Sequence, residues 1–147
     1  MPKLVYFLPC DRVIVSQEQT ISLITLIENV ILNIPEEKEA ELPDDAIVPK
    51  EWNAISSYRW EPDDLGKEYE QRVSLTLEND RISTDSIEKI PREDGKFSSR
   101  VIIQSQAFPI KPQGEAVLRL AIREVGQENW QVIAEYKIAI NRVDKTA

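Results

Sequence analysis

A chain of 147 residues with 41% apolar and 30% charged side chains has the composition of a folded domain rather than a disordered one. That length suits a single domain over 1–147, burying roughly 70% of its unfolded surface. A formal net charge of −8 argues against the basic footprint of a nucleic-acid binder, and against docking on anionic lipid unless a cation intervenes; most of the excess acid is read as solubility.

Lys3 to Val15 is expected to form one strand interrupted at Pro9, or two short ones, because proline lacks the N–H that a ladder needs. Its apolar start, Leu4-Val5-Tyr6-Phe7-Leu8, is too short for a signal-peptide core and runs directly into Pro9, Cys10 and Asp11. Ser16 to Gln19 is a polar turn. Thr20 to Ile34 is ambiguous: Leu23, Ile27, Val30, Ile31 and Ile34 fit a helix face, whereas Ile24, Leu26, Val30, Leu32 and Ile34 fit a strand with Glu28 intruding. Its wealth of Ile and Thr favours the pleated surface, so a long strand bulged near Glu28-Asn29 is expected. Pro35 to Pro49 crowds acidic side chains between prolines and reads as one long acidic surface loop.

Glu51 to Trp60 reads as a strand carrying Trp52, Ile55, Tyr58 and Trp60, broken by Glu61 to Gly66. Glu70 to Leu77 alternates cleanly, with Val73, Leu75 and Leu77 inward. Asn79-Asp80 is a turn, Arg81 to Ile90 is less regular with a short edge strand expected near Ile82, and Glu93-Asp94-Gly95 turns again. Phe97 to Phe108 is a strand whose consecutive Val101, Ile102 and Ile103 suit burial on both faces or a bulge. After a turn at Pro109 to Gly114 comes the firmest pattern. Ala116, Leu118, Leu120 and Ile122 share one face, with Val117, Arg119, Ala121 and Arg123 on the other, and Trp130, Val132, Ala134, Tyr136, Ile138 and Ile140 alternate with a mostly polar set, around the polar Glu124–Asn129 connection of a hairpin. About eight strands at the turn spacing of sandwiches, without strand–helix–strand alternation, imply an all-β, two-sheet antiparallel β-sandwich, immunoglobulin-like, with a closed barrel second.

The opening strand from Leu4 to Cys10-Asp11, the Gln/Glu turn, Ile21-Ser22-Leu23-Ile24-Thr25-Leu26-Ile27-Glu28, the Ile-Pro exit and the Lys111-Pro112-Gln113-Gly114 entry to the last hairpin carry a resemblance. Together they resemble an uncharacterised bacterial family of small β-sandwich proteins of unknown function. The resemblance spans most of the chain and implies a small β-sandwich of bacterial cytoplasmic origin; it brings no activity and no site residues.

The chain has no histidine, one cysteine and four glycines. Ser-His-Asp and Cys-His nucleophilic machinery and His-based metal sites are thereby excluded, and no glycine-rich phosphate loop exists. No intrachain disulfide can form, which fits a reducing compartment, and no run approaches the ~20 apolar residues of a membrane span. Asp44-Asp45 and Glu61, Asp63 and Asp64 offer oxygen ligands without a calcium-loop spacing and read as solvated loop charges. Trp52 and Trp60 read as core plugs, Tyr58 and Tyr69 stay open between core and surface, and Cys10 reads as inert packing. No catalytic, cofactor or metal residue is assigned. The expected role is a non-catalytic protein-binding or scaffold module of the bacterial cytoplasm, without cofactor, nucleic acid or membrane. Its partner, or a second copy, would add to a strand edge or meet the acidic Pro35–Pro49 loop. Alternatives are a calcium-dependent ligand or membrane binder, and a carboxylate-only glycan-active enzyme.

Overall fold

The computed structural model describes residues 1–32, 46–77, 82–109 and 114–142; side chains at 32, 83 and 142 are left aside. Among the described residues nine strands form two sheets that share one core, as in a β-sandwich. The four-stranded sheet runs β2-β1-β4-β7, with β1 Lys3–Val15, β2 Ile21–Leu26, β4 Ile47–Arg59 and β7 Ser98–Pro109. The five-stranded sheet runs β3-β9-β8-β5-β6, with β3 Asn29–Leu32, β5 Tyr69–Thr76, β6 Ile82–Lys89, β8 Gly114–Glu124 and β9 Gln131–Arg142. The single helical turn among the described residues is a 3-10 turn at Pro62–Asp64. No helix of the described residues is long and apolar enough to cross a membrane.

The expected alternation holds along β8 and at the end of β9, where Ile138 and Ile140 are buried, but Val132, expected on the inward face, is half exposed beyond the register shift at Leu120/Ala121. On β8 Ala116, Leu118, Leu120 and Ile122 are fully buried, opposite β5 Val73 and Leu75. From β4 and β7, Trp52, Ala54, Tyr58, Val101, Ile103 and Phe108 fill the space between the sheets. Trp52 meets Phe108 edge-on with ring centroids 6.0 Å apart, and its Nε1–H donates to the Ala107 carbonyl at 2.8 Å. A polar knot joins the sheets inside this apolar layer. The Gln71 Oε1 on β5 accepts from the Ser56 hydroxyl (2.6 Å) and the Tyr58 hydroxyl (2.7 Å) on β4. Burial, only partly offset by the Ser56 contact, drives the Tyr58 phenol far above its ordinary pKa.

Four expectations are corrected. Thr20 to Ile34 is not one bulged strand: β2 belongs to the four-stranded sheet and β3 to the five-stranded one, with Ile27 and Glu28 crossing between them. The antiparallel rule has an exception, because β3 runs parallel to β9 (Asn29 beside Ala139, Ile31 beside Asn141). Arg81 to Ile90 carries a full strand along β5, held by seven register pairs from Glu70↔Lys89 to Thr76↔Ile82 with a bulge near Thr76. The expected loop ending at Pro49 stops earlier, because Ile47–Pro49 already pair with Ala107–Pro109 and the ladder absorbs the proline at a register shift; residues 35–45 lie outside the described residues.

The long β1 strand changes partner at Cys10. Residues from Lys3 to Cys10 pair with β4, and residues from Cys10 to Val15 pair with β2. A straight continuation would carry the strand about 30 Å from Tyr6 to Val15, at about 3.3 Å per residue, away from the end of β4 where Tyr6 pairs with Ser57. Instead the hairpin tip returns: the Gln19 carbonyl accepts from the Arg100 Nη2 at 3.0 Å, and Arg100 pairs with Ser57. The β1–β2 hairpin therefore doubles back over the outer face of its own sheet. This explains why β4 is buried on both faces, with Asn53, Ile55 and Ser57 covered although they point away from the main core.

Candidate functional site

The fold-back leaves a cleft of about 560 Å³ between the hairpin tip and the connection from β6 to β7, lined by Tyr6, Gln19, Ser57, Pro91, Glu93, Lys96, Ser98, Ser99 and Arg100. Each wall has a local cause. The tip is closed by Ser16 N–H to the Thr20 carbonyl (2.8 Å) and Gln19 N–H to the Ser16 carbonyl (3.0 Å). These bonds hold Gln19 in the left-handed region, φ 64°, a conformation costing about 1–2 kcal/mol for a residue with a Cβ. That conformation is offset by the turn bonds and by the guanidinium that its carbonyl meets.

The opposite wall hangs on Trp60. Its Nε1–H donates to the Ser99 hydroxyl at 2.7 Å, which in turn donates to the Pro91 carbonyl. Arg92 lies over the Trp60 ring, 4.6 Å from its centroid, and donates to the Asp64 carbonyl. The Lys96 N–H closes the turn on the Glu93 carbonyl at 3.1 Å, and the Lys96 ammonium pairs with the Glu93 carboxylate. Ser99 thus has its hydroxyl engaged as donor and acceptor, and the cleft presents hydroxyls, the Glu93–Lys96 ion pair and the Arg100 guanidinium.

The cleft opens at the start of β7, and β7 is an end strand. Over Ser98–Pro109 it pairs with β4 on one side, and no described strand lies on the other. It bears one charged residue among twelve, Arg100, and Ile102 is 38% exposed at its middle. An unpaired edge presents a row of backbone donors and acceptors that a further strand can satisfy.

The residues singled out in the sequence do not converge here. Asp44 and Asp45 lie outside the described residues. Glu61, Asp63 and Asp64 share the 3-10 turn but face different ways: Glu61 pairs with Lys3 at 3.1 Å, Asp63 is exposed, and Asp64 is fully buried. Both Asp64 oxygens are occupied, one by the Met1 ammonium and the other by the Glu61 N–H at 3.0 Å. Burial pushes the Asp64 pKa up, but the ammonium, the Glu61 N–H and Arg92 prevail and hold it below the usual carboxylate range. Among the described residues no group of three or more Cys, Asp or Glu side chains is placed to hold a metal ion. Trp52, Trp60, Tyr58 and Tyr69 are all buried. Cys10 is buried beneath the hairpin, and burial together with Asp11 pushes its thiol pKa up, away from the reactive thiolate. The sequence reading missed Arg100, whose meeting with Gln19 joins residues 81 positions apart.

No known protein-family model matches the chain, and a search of curated proteins finds no match either.

Proposed function

We propose that the protein is a non-catalytic protein-binding module, acting in a bacterial cytoplasm, that takes up an extended partner segment as an added strand along β7. The observation that carries the reading is the contrast among the four sheet ends. The edge β3 is four residues long, β2 is six, and β6 carries Asp85, Glu88 and Lys89 within eight residues; β7 offers twelve residues with one charge. Short length and charge are the usual means of keeping an edge from pairing, and β7 has neither. Main-chain hydrogen bonds would supply affinity and alternate side chains selectivity. The single buried cysteine supports the cytoplasmic part of the reading. The immunoglobulin-like description is proposed only in its broad sense of two face-packed sheets around a buried Trp.

Selection of binders from displayed random decapeptides, followed by hydrogen–deuterium exchange of the complex with the intact chain, tests the proposal. Slowed exchange is expected across 98–109 and not across 82–89. A complex that protects β6 instead, or a selection that yields no binder, overturns it.

A further inference from the structure

We propose that the segment added to β7 is the free C-terminus of a partner protein, its terminal carboxylate held in the cleft by Arg100; this rests on the edge reading above. Charge is the first argument. Arg72, Arg119 and Arg123 on the five-stranded sheet each bond a carboxylate, at 2.7, 2.9 and 2.6 Å. On the four-stranded sheet Arg12, Arg59 and Arg100 have no carboxylate within ion-pair distance among the described residues; of these Arg100 lines the cleft, and it donates to the neutral Gln19 carbonyl. In a chain with 26 acidic and 18 basic residues, an arginine without a carboxylate partner, lining a cleft whose one carboxylate, Glu93, is paired with Lys96, is a complement for an incoming anion.

Direction is the second argument. Every pairing in the four-stranded sheet is antiparallel. A strand added to β7 in the same sense ends with its C-terminus beside Ser98 to Arg100, where the cleft lies. A parallel strand would instead bring an N-terminal ammonium toward the Arg100 guanidinium, like charge against like, since the Lys96 charge beside it is already balanced by Glu93. The turn bearing Pro91, Glu93 and Lys96 bounds the cleft at this end of β7, a place for a chain that stops rather than one that runs on.

Spacing then gives a selectivity rule. Arg100 and Ile102 share the outer face of β7, since side chains alternate along a strand. With the terminal residue opposite Arg100, the third residue from the end stands opposite the half-exposed Ile102. That position should be apolar, and the fifth from the end, opposite Gln104, should be polar.

Random decapeptides displayed with free carboxyl termini are the probe, and each selected peptide is resynthesised as acid and as C-terminal amide. The acid is expected to bind at least about tenfold tighter, the value of a hydrogen-bonded charge in a partly shielded site. Arg100→Gln should weaken the acid to the level of the amide and leave the amide unchanged, with Arg100→Lys between. Amidation leaves the protein untouched, so a disturbed hairpin in the Arg100 variants cannot imitate its effect. Equal binding of acid and amide, with 98–109 still protected from exchange, overturns the carboxylate anchor alone. Loss of that protection overturns the edge reading with it.

Discussion

The two long edges of the sandwich, β6 and β7, solve the same problem in opposite ways. On β6 the Arg72–Asp85 pair reaches in from β5 with two bonds of 2.7 Å, and Glu88 and Lys89 add charge along the strand. On β7 the polar groups are Ser, Gln and one arginine, while Val101, Ile103 and Phe108 anchor the strand in the core. The first edge is guarded and lightly anchored; the second is deeply anchored and unguarded. On the proposed reading β7 accepts a partner without peeling away, because burial of its inner face holds it in place. Guarding charge, by contrast, belongs on an edge that is meant to stay alone.

This contrast can be broken by substitution, and the largest effect should come from the anchor. Phe108→Ala removes a fully buried ring that packs on Trp52, and should cost about 3–5 kcal/mol in urea unfolding. Ile87→Ala on β6, 51% exposed, should change stability by no more than about 0.5 kcal/mol; equal losses would erase the difference in anchoring. Guarding the open edge with Ile102→Lys should abolish peptide capture while lowering stability by about 1 kcal/mol or less, read by titration calorimetry beside a melting curve. Unguarding the other edge is a smaller matter. Asp85→Asn should cost about 0.2–1 kcal/mol at low salt, because the pair is part exposed, and the loss should fade in 1 M salt.

The same pair sets a pH test. Hydrogen bonds from Arg72 outweigh burial and hold the Asp85 carboxyl below its ordinary pKa. Its stabilisation is therefore present above the unfolded value, near 3.9, and disappears as pH falls through the lower folded value. The melting-temperature gap between wild type and Asp85→Asn should be constant from about pH 5 to 7 and close below about pH 4. A gap that widens in acid would contradict the assignment.

Strand positions were largely legible because alternation is a local signal. The inter-sheet knot escaped the sequence reading: Val73, Leu75 and Leu77 are read inward, but Gln71, two positions earlier on the same face, passes as a polar residue and Tyr69 stays open. The partners themselves, Ser56 and Tyr58, were not legible, since nothing local says which strands face across the core. Likewise Glu28-Asn29 showed as an interruption, but the jump from one sheet to the other depends on a neighbour 112 positions away. The cleft was the least legible feature. It exists because β1 exchanges β4 for β2 at Cys10 and the hairpin returns to Arg100, a path set by tertiary contact and not by period.

The parallel ladder of β3 on β9 has a kinetic corollary. It ties Asn29–Leu32 to Ala139–Arg142, so one border of the five-stranded layer waits for strands more than a hundred positions apart to meet. Closing so wide a loop is entropically late, and sheets dominated by distant pairings assemble in milliseconds to seconds. During synthesis, β3 would leave the ribosome long before its neighbour exists, a strand in search of company until β9 has been made.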